Sequence, residues 1–140
     1  MAVPSIDMKD VLVTDGVGVF GGGGVWSIYI GTEPATPDQV ITLYDTGGTD
    51  PNPRLLLDFQ TFQVRIRGLT GDYQITYEKA EEVRDSLLAL PAQVINTTRY
   101  DGVWQVGDIA FIGPTETRPT FISNWRVIRE PAAGMHRVAL

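Results

Sequence analysis

The chain has 140 residues, no cysteine and one histidine. Disulfides, thiolate metal sites and cysteine nucleophiles are therefore excluded. A single imidazole cannot build a histidine metal cluster. That residue, His136, falls in the closing segment PAAGMHRVAL. Nothing there fixes a ring in the orientation a Ser-His-Asp triad requires, so it reads as ordinary surface. Lysine is scarce too, two against nine arginines. Arginine is the cation suited to bidentate pairing and enriched at protein interfaces, so the bias points to protein–protein contact. No stretch approaches the roughly 18 consecutive apolar residues of a membrane span. The opening MAVPSIDMKD lacks the basic start and apolar core of a secretory signal, which makes the NTT sequon at Asn96 incidental. Excess positive charge is also missing, since the formal net charge is −6. A free-standing nucleic-acid binder draws its affinity from a basic surface, and this chain has no such balance. A surface past which DNA slides without being gripped stays compatible with it.

What is present describes one globular domain over residues 1–140. Hydrophobic residues make up 43% and charged residues 20%, an ordinary balance for a chain able to bury a single core. Ser5 can cap a first helix carrying Met8, Val11 and Leu12, with Asp15-Gly16 as its stop. VWSIYIG (25–31) and VITLYD (40–45) read as strands. TGGTDPNPRLLLD (46–58) reads as a long, flexible, turn-rich connection rather than a tight hairpin. In FQTFQVRIRG, Phe62, Val64 and Ile66 point one way and Gln63, Arg65 and Arg67 the other, which is the period of a strand with one buried face. Asp72 can cap a second helix of about 18 residues. Its apolar stripe is Tyr73, Tyr77, Ala80, Val83, Leu87 and Leu90, and its exposed side holds Glu78, Glu81, Glu82 and Asp85. Pro91 ends it. Asp101-Gly102 within RYDGVWQV signals a hairpin. DIAFIG (108–113) and TFISNWRVIRE (120–130) are the last strands, and the tail 131–140 reads as loose. The predicted fold class is α+β: a single, largely antiparallel (mixed) sheet with two helices packed on one face.

Four constellations bear on chemistry. Seven glycines stand between positions 16 and 31, four of them consecutive at 21–24. A dinucleotide or phosphate loop needs a strand before the glycines and a helix after them. Here the order is reversed and no G-K-[ST] follows, so the run reads as a flexible hinge. Asp45-Thr46-Gly47 after an apolar strand has the form of an aspartic protease loop, whose two carboxylates share a proton. A chain this short would take the second Asp from another subunit. The plainer reading is a structural turn over Asp45, Thr46, Gly47 and Gly48, with Asp45 bonding backbone amides. Asp45, Asp50 and Asp58 lack the EF-hand spacing. No catalytic set, metal site or cofactor is expected. The arginines Arg65 and Arg67 on one strand and Arg126 and Arg129 on another could form a basic stripe. They either pair with local acids or cross a subunit interface to Glu78, Glu81, Glu82 and Asp85.

ITLYDTGGTDPNP (41–53), FQTFQVRIRG (59–68), YEKAEEVRDSLLAL (77–90) and FISNWRVIRE (121–130) together resemble one family, the tail terminator and minor capsid proteins of long-tailed bacteriophages. The family pattern is an apolar strand ending in Y-D-T-G-G, matched by Tyr44 to Gly48, then a proline-containing loop. A Q-V-R-V-R strand follows, matched by Gln63-Val64-Arg65-Ile66-Arg67, and a helix matched at Ala80, Val83-Arg84 and Leu87. The resemblance implies a structural virion protein without catalysis, assembled in the host cytoplasm. It implies a homo-oligomeric ring, usually of six subunits, that caps the tail tube, stops its polymerisation and presents the surface for head docking. Its partners would be its own copies, the tail tube protein and a head-completion or connector protein. DNA would pass the lumen without specific binding, and no membrane is involved. A head-closure component, with the same ring logic and other neighbours, is the alternative. From another class, the alternative is the dimeric protease.

Overall fold

The computed structural model describes residues 1–88, 90–131 and 136–140. The elements are α1 (Pro4–Thr14), β1 (Val19–Phe20), β2 (Ser27–Ile30), β3 (Val40–Asn52), β4 (Leu57–Arg67), α2 (Tyr73–Leu88), β5 (Gln93–Ile95), β6 (Thr98–Thr115) and β7 (Arg118–Glu130). The strands form one sheet in the order β1-β2-β3-β4-β7-β6-β5. The β1–β2 and β2–β3 pairs are parallel and the rest antiparallel. The class is α+β, with a mixed sheet.

The alternation in β4 decides which face the helices take. Phe62, Val64 and Ile66 are fully buried, and their register partners on β7 are Trp125, Ser123 and Phe121. Phe62 and Trp125 stack with ring centroids 6.1 Å apart. Met8 and Leu12 from α1 and Ala80, Val83 and Leu87 from α2 join the same core. Each of the larger apolar side chains among them contributes about 1.5–3 kcal/mol by leaving water. Both helices thus lie on one face, as the two apolar stripes require. α1 stops at Asp15, where Gly16 takes φ +75° and the Val17 N–H reaches the Leu12 carbonyl at 3.0 Å, a left-handed terminus that glycine allows at no steric cost. Asp72 caps α2 through its carbonyl, which accepts from the N–H and the hydroxyl of Thr76 at 3.0 and 2.6 Å.

Two sequence expectations fail here. The segment 46–58 is not an irregular connection. β3 and β4 run on as a ribbon, pairing Gly47 with Thr61, Thr49 with Phe59 and Asn52 with Leu57, and only 53–56 turn. Gly47 and Gly48 sit inside β3, after a bulge at Thr46, where glycine marks a bulge or a close backbone approach rather than a chain reversal. At Gly48, φ is +128° and an added Cβ would lie 2.1 Å from the Phe59 carbonyl oxygen. We expect Gly48→Ala to lower the unfolding free energy by about 1–3 kcal/mol. Gly47→Ala, with open space around that Cβ, should cost less, and urea titration of the two variants reads the difference.

The second failure is Asp101-Gly102, which is a bulge within the continuous β6 and not a hairpin. The hairpins turn at Asn96-Thr97 (φ +47° and +67°) and at Glu116-Thr117 (φ +49° and +70°). Both are two-residue loops with positive φ at both positions, the primed geometry that matches strand twist. Asn96 suits this geometry, but Thr97, Glu116 and Thr117 are not its usual residues, so the pairs do not read as turns. Of the closing tail, 132–135 lie outside the described residues. Beyond them Arg137 makes a two-pronged bond to the buried Asp58, and the Leu140 N–H reaches the Pro53 carbonyl at 3.1 Å.

Candidate assembly surfaces

The four arginines expected to form one stripe fall into three surroundings, since Arg65 and Arg67 share Glu33. Arg67 is 2% exposed. Its guanidinium donates to the carbonyls of Pro34 (2.7 Å), Pro37 (2.8 Å) and Asp38 (3.1 Å) and pairs with Glu33 at 2.9 Å. Arg118, which sequence reasoning missed, clamps the same loop through the Ala35 carbonyl (2.7 Å) and Asp38 (3.1 Å). Arg65 pairs with Glu33 and donates to Thr115 at 3.0 Å. Loop 31–39 is therefore fastened over the sheet face opposite the helices, above Val40 and Thr42, which are fully buried.

Arg129 is 3% exposed and belongs to the helix side. It donates to the Ala2 carbonyl at 2.5 Å and to the Tyr100 hydroxyl at 3.3 Å, with Asp7 at 3.9 Å. Asp7, fully buried, also accepts from the Tyr100 hydroxyl and from Asn96 at 2.8 Å. Burial, reinforced by Asp7, pushes the Tyr100 phenol far above its ordinary pKa, so it stays a proton donor. Asp10 beside this cluster moves the other way. Burial works against its charge, but the bonds from Lys9 and Asn96 outweigh it and hold the carboxyl below its ordinary value. A depressed carboxyl adds stability above its unfolded pKa that acid removes.

Arg126, like Arg65, is half-exposed on the open sheet face. Its register partners are Thr61 and Trp104, and among the described residues it has no ion pair. Residues 126 and 129 differ by an odd number, so they project to opposite faces, and the expected stripe does not exist. Arg67 and Arg129 are corrected from candidate interface to interior, while Arg65 stays half-exposed and pairs with Glu33. The candidate acids do lie on the outer side of α2. Glu82 pairs with Lys79 at 2.8 Å, Glu81 and Asp85 with Arg84 at 3.4 and 3.5 Å, and Glu78 accepts from Gln74 at 3.3 Å. Exposed pairs of this kind contribute little and leave the surface acidic. α2 and Arg126 are on opposite sides of the sheet, so they can meet only between copies.

Asp45 does bond a backbone amide, but not in a turn. Its two oxygens accept from the N–H (3.1 Å) and the hydroxyl (2.5 Å) of Ser5. The N-cap position of α1 is Val3, not Ser5, and Val3 supplies no side-chain cap. The carboxylate of β3 takes over that work, placed at the positive end of α1. We expect Asp45→Asn to cost about 1 kcal/mol of stability, read in urea, with assembly intact. Asp58 is engaged by Arg137. Among the described residues no three His, Cys, Asp or Glu side chains group as metal ligands do.

Residues 11–117 match the family model described as bacteriophage tail terminator protein. The chain belongs to this family. No curated protein sequence matches it. The matched stretch runs from the second half of α1 to the β6–β7 turn and leaves out β7, the strand of Arg126 and Arg129. A tail terminator is a structural component of the virion. No helix among the described residues is long and apolar enough to cross a membrane.

Proposed function

We propose that this terminator closes a phage tail as a ring of its own copies, six by family resemblance. The ring sits on the end of the finished tube, stops further polymerisation and offers its outer end to a head-completion protein. The family match over 11–117 carries this reading. Physical support comes from the charge arrangement. The α2 acids and Arg126 occupy opposite sides of one subunit, a pattern that is complementary head to tail but not to itself. Such heterologous contacts close into rings when the rotation closes. The acidic balance supports a passage that repels phosphates and lets DNA move through unheld.

We expect Arg126→Glu to weaken subunit association in sedimentation while circular dichroism stays native. Charge reversal at Glu78 and Glu82 in the same chain should recover part of the loss. Unchanged association would remove Arg126 from the interface. The function itself is tested by electron microscopy with isolated tail tubes: capped ends are expected, and tubes that keep growing in its presence would refute termination. Binding to filled heads without tubes would identify a head-closure component instead.

A further inference from the structure

One half of the open sheet face is roofed and the other is bare. Loop 31–39 covers the half with Val40 and Thr42. On the other half β7 presents Ile122, Asn124, Arg126 and Ile128, alternate residues of one strand, each half-exposed or exposed. Beside them stand Trp104 and Val106 of β6, 36% and 43% exposed. Behind this bare half, across the sheet, lies α2. It starts with Tyr73 and Tyr77 edge-on to Phe121. The strand that follows it pairs with Tyr100, the register partner of Arg129. α2 therefore runs along β7 in the same direction. Helices on both faces of one sheet make a stable layering, and both helices of this chain are already on the other face.

Three features match the outer side of α2 to the bare row of β7. The first is length. Ile75 and Leu88, 50% and 48% exposed, stand at the two ends of the outer side of α2, about 20 Å apart at roughly 1.5 Å per residue. Ile122 and Ile128 stand about 20 Å apart on β7 at roughly 3.3–3.4 Å per residue. The second is chemistry. Between its apolar ends α2 exposes Glu78, Glu82 and Asp85, which accept hydrogen bonds, whereas β7 offers donors. Arg126 is one. The Asn124 side-chain NH2 is the other, since its carbonyl oxygen already accepts from Gln63 at 3.1 Å. The third is direction. Because α2 and β7 run the same way, a copy displaced along the sheet normal sets Ile75 over Ile122 and Leu88 over Ile128. Rotation about an axis along the strands preserves that sense. A two-fold axis pairs each surface with itself and leaves α2 facing α2.

We propose that α2 of one copy lies along β7 of the next, Ile75 on Ile122 and Leu88 on Ile128, with Glu78, Glu82 and Asp85 meeting Asn124 and Arg126 between them. The ring axis then runs along the strands. This rests on the ring reading and gives its contact a register. The absence of native cysteine makes the test clean. Two matched double variants, Ile75→Cys with Ile122→Cys and Leu88→Cys with Ile128→Cys, are compared with the crossed pairs, Ile75→Cys with Ile128→Cys and Leu88→Cys with Ile122→Cys. Each is assembled with tail tubes, treated with a short thiol-to-thiol cross-linker and run on a denaturing gel. At least one matched pair should give a ladder of covalent multimers ending at the ring size. The crossed pairs, whose thiols would stand roughly 20 Å apart, and all four single variants should stay monomeric. Rings seen by microscopy with no ladder from either matched pair, or with a ladder from a crossed pair, would overturn the register and leave the ring standing. A covalent dimer from a single variant would set like surfaces together and also overturn it. Absence of rings from the unmodified chain would bring down the ring reading and the register with it.

Discussion

Arg129→Leu will lose about 3–5 kcal/mol of folding stability, the range for removing one partner of a buried ion pair. The cost comes from what stays behind. Asp7 is fully buried, and without the guanidinium its charge has only the neutral donors Tyr100 and Asn96. The Ala2 carbonyl also loses its donor, which frees the start of α1. The double variant Asp7→Asn with Arg129→Leu should recover part of the loss, because no charge is then stranded. Urea unfolding of the single and double variants measures both. An Arg129→Leu protein of native stability with impaired assembly would return this residue to the interface.

Arg67→Ala should lose a similar amount, about 3 kcal/mol or more. Three loop carbonyls and Glu33 depend on its donors, and Glu33, 12% exposed, would keep only Arg65 as a partner among the described residues. The loop 31–39 should open first, so limited proteolysis should nick it well below the global midpoint. Arg67→Lys will not rescue the variant. A point ammonium cannot reproduce the planar fork that reaches several carbonyls at once. Loss of association with an intact, protease-resistant monomer would contradict this account.

Period and end signals made much of the fold legible. Phe62, Val64 and Ile66 at every second position gave β4 its buried face, and the stripe through Ala80, Val83 and Leu87 gave α2. Asp15-Gly16 gave the end of α1, while α2 runs only to Leu88 and leaves Leu90 of the expected stripe outside the helix. The 46–58 ribbon was not legible, because glycine and proline punctuate turns and bulges alike. Gly48 is needed for an approach of β4 that only pairing creates. The turns at Asn96-Thr97 and Glu116-Thr117 were hidden for the opposite reason: strand pairing imposes a left-handed backbone on Thr97, Glu116 and Thr117, which do not favour it. Asp45 was singled out and its bond type foreseen, but its partner Ser5 is forty residues away and no local pattern points there.

The sequence by itself determined both helices and the inner strands, the α+β class, the absence of thiol chemistry and the resemblance to tail terminators, since these follow from composition, period and motif order. Tertiary structure alone decided what each arginine does. Alternation along a strand says to which side a residue projects. It does not say whether a distant segment covers that side, and the loop over Arg67 and the chain start over Arg129 turn two surface positions into interior ones.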